Sequence, residues 1–206
     1  MQLRIFNYDP GVTNLDEYYK KIENAKEISG ILINVEINKD ATVNVYMPES
    51  RVSFPVEIFL NKFKPSKKII IFNTLLKDEE LSVKTSLQIA NYNSDFISKI
   101  EAILEGYPNK FYILSTNTSV LYFLKIKNLP YKIGTLVSSK DLGFVDVDFY
   151  VFNESFAELG FIESLLKENK DVMLIPDSSD FIKTLPSNIR NKLDYIVNAM
   201  TFNTNS

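Results

Sequence analysis

Residues Tyr112 to Val137 read YILSTNTSVLYFLKIKNLPYKIGTLV. Phe111 to Ser115 is a short apolar run rich in residues that favour strands. Val120, Leu121 and Leu124 follow at helical spacing, and Asn117 or Thr118 can cap that helix. Tyr131 to Leu136 then reads as a second strand. A strand, a crossover helix and a second strand with no tight turn between them imply parallel pairing.

The same unit recurs on both sides. Eight candidate strands stand out: Leu3 to Asn7, Ile31 to Ile37, Lys68 to Phe72, Phe111 to Ser115, Tyr131 to Leu136, Val145 to Val151, Val172 to Ile175 and Tyr195 to Asn198. Most carry Ile, Val, Phe or Tyr with little alternation, as strands buried on both faces do. Between them lie helical stripes. Asn14 to Glu17 resembles a capping box before Leu15, Tyr18, Tyr19 and Ile22. A helix is expected over Phe54 to Phe63, with Pro55 in its first turn. Another carries Phe96, Ile97, Ile100, Ile103 and Leu104, capped by Asn93 or Ser94 and stopped by Gly106. Phe156, Leu159, Ile162, Leu165 and Leu166 form a further stripe, and Phe181, Ile182 and Leu185 a last, less regular one before Pro186.

Eight such units predict an α/β fold, a small and distorted (β/α)8 barrel. An open doubly wound sheet is the alternative. Residues 1–202 are expected to form a single domain, because no linker interrupts them, and residues 203–206 a disordered polar tail.

Composition narrows the chemistry. The chain has 206 residues, 45% of them hydrophobic, a net charge of -3 and no Cys, His or Trp. Disulfides, thiol nucleophiles, Cys or His metal sites and histidine bases are therefore excluded. The acidic balance argues against a nucleic-acid partner. No apolar run is long enough for a transmembrane helix, and the amino terminus lacks the pattern of a secretory signal. A chain without Cys fits a cytoplasmic location. There is no P-loop, dinucleotide fingerprint or nucleophile elbow.

In a barrel, ligands bind at the carboxyl-terminal strand ends. The residues expected there include Asn7, Tyr8, Asn34, Asn73, Thr74, Ser115, Thr116, Asn117, Ser138, Asn153 and Asn198. Of these, Asn7, Tyr8, Asn34, Ser115 and Asn117 are the candidate ligand contacts. Asp9, Glu36 and Asp177 are the candidate metal ligands, and their oxygen-only chemistry suits Mg or Ca. Each has an ordinary structural role available too: Asp9-Pro10-Gly11 is a good turn, and Asn117 a good cap. Lys62, Lys64, Lys67 and Lys68 form a basic cluster that favours the end of a helix.

The spacing of these segments resembles the glycerophosphodiester phosphodiesterase family, whose fold is a (β/α)8 barrel. Ser115, Leu121, Leu124, Pro130, Lys132, Gly134 and Leu136 match one stretch of that pattern. Ile31 to Met47, with its Lys39-Asp40 turn, resembles the family's second strand and the short strand after it. Leu193 to Asn198 resembles its closing strand.

The functional positions depart from the pattern. Asn7-Tyr8-Asp9 stands where the family has His-Arg-Gly. Leu32 and Asn34, or Asn34 and Glu36 in a register shifted by two, stand at its Glu-x-Asp metal ligands. Met47-Pro48 replaces His-Asp, and Ile71 and Asn73 fall near Glu-x-Lys. The family's aromatic Trp on the seventh strand has no counterpart.

Diester hydrolysis requires an activated nucleophile, a proton for the leaving alkoxide and compensation of phosphoryl charge. Losing most of the groups that do this predicts essentially no turnover by the family mechanism. The expectation is a non-catalytic barrel, without a cofactor, holding a small polar or phosphorylated ligand. The alternatives are a divergent phosphodiesterase using Mg or Ca on Asp9, Glu36 and Asp177, and a non-enzymatic interaction module.

Overall fold

The computed structural model describes residues 3–7, 15–24, 28–37, 42–47, 52–63, 69–74, 98–107, 110–137 and 146–197. The strands are β1 (Arg4–Asn7), β2 (Gly30–Ile37), β3 (Val43–Met47), β4 (Val52–Pro55), β5 (Ile69–Thr74), β6 (Lys110–Ser115), β7 (Lys132–Val137), β8 (Phe149–Asn153), β9 (Asp171–Ile175) and β10 (Asp194–Val197). The helices are α1 (Leu15–Asn24), α2 (Val56–Phe63), α3 (residues 98–104), α4 (Thr118–Lys127), α5 (Leu159–Lys167), α6 (Ser179–Thr184) and α7 (Ser187–Arg190).

Parallel pairing runs from β2 to β5 and on in chain order to β10. β1 bonds in parallel to β10 on one side and to β2 on the other. The succession of parallel strands thus curls back to its start. An open doubly wound sheet needs a reversal of strand order, and the described strands show none. Helices are described on every crossover except that between β7 and β8, where residues 138–145 lie outside the described set.

All eight expected strands are present, with ends moved by a few residues. The largest shift is at Val145 to Val151, where the strand is Phe149–Asn153. The reason is Asp148. Its backbone N–H donates to the Ile133 carbonyl, and its own Oδ2 accepts from the Ile133 N–H, both at 2.8 Å. A side chain therefore takes one ladder position just before β8. The expected helix over Phe54 to Phe63 also needs correction. Phe54 and Pro55 belong to β4, which pairs antiparallel with β3, and the helix starts at Val56. β4 bonds to β3 alone among the described strands, and an edge strand tolerates Pro. Leu159, placed on an apolar stripe, is instead 40% exposed at the start of α5. The proposed capping residues Asn14, Asn93 and Ser94 lie outside the described residues.

Alternation along the strands builds two apolar layers. One set, including Ile31, Ile33, Ile70, Phe72, Ile113, Tyr150 and Phe152, packs beneath Phe59 and Leu60 of α2, Leu124 of α4 and Ile162 of α5. The other set is Ile5, Leu32, Ile69, Ile71, Tyr112, Leu114, Phe149, Val151, Met173 and Ile196. These ten line the inside of the curl.

The amino-terminal ends of the inner set are charged. Lys132 bonds to Asp171, and its Nζ lies 5.6 Å from the Tyr112 ring centre. Asp194 Oδ1 accepts from the Leu3 N–H at 2.7 Å. Burial pushes the Asp194 carboxyl above its ordinary pKa, against the lowering effect of that hydrogen bond, and Asp171 raises it further. A carboxyl with a raised folded-state pKa binds its proton more tightly when folded. Its contribution is fully present below the unfolded pKa and is lost as pH rises through the folded one. Asp194→Asn keeps the oxygen that accepts from Leu3 and removes the charge. The variant is expected to melt above the parent at pH 7 and level with it at pH 3. Thermal melts at both values check this, and a variant that melts lower at pH 7 refutes it.

Candidate functional site at the carboxyl-terminal strand ends

β2 runs two residues past its last pairing with β5 and turns into a hairpin with β3 and β4. Val35, Val43 and Val45 point to the helix side and are buried in the outer layer. The opposite face continues the inside of the curl. It carries Asn34 and Glu36 of β2, Asn44 and Tyr46 of β3, Ser53 of β4 and Asn73 of β5. Register fixes their neighbours: Asn34 pairs with Asn73, Glu36 with Asn44, and Tyr46 with Ser53.

Hydrogen bonds tie this face together. Asn73 Nδ2 donates to Asn34 Oδ1 at 2.8 Å, and Ser53 Oγ donates to Glu36 Oε1 at 3.3 Å. Glu36 is 5% exposed, unusually buried for a carboxylate. Asn73 Oδ1 and Asn44 Oδ1 are buried and have no hydrogen-bond partner. Native interiors keep few such groups, because each loses water without compensation.

The other expected site residues lie elsewhere or are differently engaged. Ser115 is fully buried on the helix-facing side of β6, in phase with Phe111 and Ile113. Its Oγ accepts from the Asn117 N–H at 3.1 Å. Asn117 Oδ1 in turn accepts from the Val120 N–H at 3.1 Å and caps α4. Both side chains are thus occupied with the turn into the helix. Asp177 is exposed, and its N–H donates to Glu154 Oε2 at 2.8 Å. Thr116 is exposed and Asn153 half-buried. Asn7 ends β1 beside Leu32. Tyr8, Asp9, Ser138 and Asn198 lie outside the described residues, as do Lys64, Lys67, Lys68 and the Lys39-Asp40 turn. Lys62 forms an ion pair with Asp16 of α1. Among the described residues, no three His, Cys, Asp or Glu side chains are grouped to hold a metal ion.

No protein-family model matches the chain, and no curated protein matches it. Solved structures do match. A phosphodiesterase from Oleispira antarctica, in complex with the product sn-glycerol-3-phosphate, superposes with a TM-score of 0.71 at 11% identity, over 95% of this chain and 92% of that one. A putative glycerophosphodiester phosphodiesterase from Galdieria sulphuraria gives 0.69 at 14% identity, over 96% and 94%. One from Parabacteroides distasonis gives 0.68 at 12%, over 97% and 94%. The fold is that of the glycerophosphodiester phosphodiesterases.

Pairing sets the heights of the positions likened to that family's ligands. Leu32 lies level with Ile71, and Asn34 with Asn73. Leu32 and Ile71 are aliphatic and sit in the inner apolar layer. The two amides above them are bonded to each other. Among the described residues of this face, Glu36 is the single carboxylate. Mg and Ca take several oxygens, charged carboxylates foremost. Among the described residues, the two aliphatic positions, one amide pair and one carboxylate do not by themselves meet that requirement.

Asn44, Tyr46 and Ser53 were not among the expected site residues. The alternation in Val43-Asn44-Val45-Tyr46 is a period-2 signal that places Asn44 and Tyr46 on one face. Ser53 joins them only through the β3–β4 register.

Proposed function

We propose that the chain is a single compact (β/α)8 barrel that binds a small polar ligand, phosphorylated ones included, at its carboxyl-terminal mouth and does not hydrolyse diesters. The observation that carries this reading is the Asn34–Asn73 amide pair above Leu32 and Ile71. Together these four residues stand at the positions that the resemblance likens to the family's Glu-x-Asp and Glu-x-Lys. The absence of His from the whole chain supports it, because proton transfer to the leaving group has lost its usual agent. The neighbour that holds sn-glycerol-3-phosphate makes that molecule the first ligand to try.

The chain's own residues bind and orient. Asn34 and Asn73 present amide groups to a polar ligand, and Glu36, held by Ser53, accepts a hydrogen bond from it. No proton transfer is assigned to any of them.

The test combines a melt with an assay. Glycerol 3-phosphate is expected to raise Tm equally in EDTA and in Mg, Ca or Mn, and a glycerophosphodiester to remain intact with every metal. Metal-dependent release of the alcohol, abolished by Glu36→Gln, would overturn the reading.

A further inference from the structure

Resting on the binding reading above, we infer that the face formed by β5, β2 and the β3–β4 hairpin recognises the hydroxyl groups of a neutral polyol or sugar, rather than a phosphate group.

The first argument is hydrogen-bond inventory. Two amide side chains joined by a single bond keep one unused acceptor and unused donors, whichever way each amide is turned. Asn34 and Asn73 are joined in this way, and Asn73 Oδ1 is buried without a partner. Asn44 Oδ1, opposite Glu36 on the neighbouring strand, is a second buried oxygen without one. Glu36 contributes a carboxylate, which accepts and does not donate when ionised. A ligand that completes this face must bring donors as well as acceptors. A hydroxyl is both. A fully ionised phosphate group can take the unused amide N–H donors, but it leaves Asn73 Oδ1 and Asn44 Oδ1 without partners and brings negative charge beside the Glu36 carboxylate.

The second argument is shape and charge. Residues directly opposite on paired strands stand about 4.5–5.5 Å apart at Cβ. Asn73 stands opposite Asn34 and Asn44 opposite Glu36, and Asn34 and Glu36 are successive positions on one face of β2, so the four form a short contiguous patch that can meet several hydroxyls of one carbon chain or ring. Tyr46 lies on the same face, two residues from Asn44 and opposite Ser53. An aromatic ring beside a patch of amides and a carboxylate gives the apolar C–H face of a sugar a surface to rest on. The charged residue in this patch is an acid, so the patch itself disfavours an anion.

Saturation-transfer NMR on the full chain in EDTA tests the inference, with myo-inositol, glucose and glycerol as neutral probes and inorganic phosphate as the anionic one. The neutral probes are expected to receive saturation, with one of them binding more tightly than phosphate. Asn73→Leu and Asn44→Ala are each expected to weaken that probe roughly tenfold, about the worth of one hydrogen bond. Tyr122→Ser, on the exposed outer face of α4, should leave it unchanged. Two independent variants guard against one that fails to fold, which circular dichroism detects. Phosphate binding more tightly than every neutral probe would overturn this inference and leave the binding reading intact. So would neutral binding that survives both folded variants, or no neutral binding at all. Metal-dependent diester hydrolysis, by contrast, would overturn the underlying reading.

Discussion

Gly134→Ala is expected to lower stability by about 3 kcal/mol, a fall in Tm of roughly 6–12 °C for a chain of this size. Gly134 is on β7, in phase with Leu136, and faces the inside of the curl. A Cβ built there would lie 2.4 Å from the Phe149 ring. That ring is fully buried, and its centre lies 5.5 Å from that of Tyr112. It cannot turn away without displacing the inner layer, which is packed at crystal-like density. The contact is with a side chain, so it is relievable. Phe149→Leu on its own should destabilise by removing buried surface. Combined with Gly134→Ala, it should cost less than the sum of the two. A coupling of about 1–3 kcal/mol from denaturant melts is the expected result. Strict additivity would mean that the ring and the glycine do not compete for the same space.

Gly30→Ala is expected to be at least as damaging and not to be rescued. Gly30 opens β2, and a Cβ there would lie 2.3 Å from the carbonyl oxygen of Ile69 and 2.9 Å from its carbonyl carbon. Both atoms are backbone. The same strand start is fixed by the Ile69 N–H donating to the Ser29 carbonyl at 3.1 Å. Relief would require β2 and β5 to separate, breaking a ladder of six paired positions. A loss of about 3 kcal/mol or more is a large share of the total stability of an ordinary domain. Soluble yield and the denaturant midpoint should both fall. Ile69→Ala trims the side chain and leaves the clashing carbonyl, so the double variant should be no more stable than Gly30→Ala. Recovery in the double variant would show that the Ile69 side chain, not the strand spacing, sets the limit.

These two glycines show what was legible in the residues and what was not. The eight strands were readable because a strand buried on both faces must be apolar throughout, as Ile69-Ile70-Ile71-Phe72 is. The helices were readable from their stripes: Val120, Leu121 and Leu124 are buried, as their spacing requires. β4 was missed because Pro55 beside an apolar stripe reads as a helix start. Only pairing with β3 shows that it ends a strand.

The candidate site was less legible for the same reason that the strands were clear. A run apolar on both faces carries no alternation to say which residues point inward. Asn34, Asn73 and Ser115 look equivalent as polar residues near strand ends. The tertiary structure sends Asn34 and Asn73 to the inside of the curl, where they meet, and Ser115 to the helix side, where it binds the Asn117 backbone.

The sequence by itself determined the alternating strand–helix order and the lack of Cys, His and Trp chemistry. Those are properties of residue type and spacing. Which polar side chains share a face, and which glycines must stay glycines, were decided by the register between strands distant in the chain. Cross-strand distances are set by backbone pairing, and no local pattern encodes the phase of one buried strand against another.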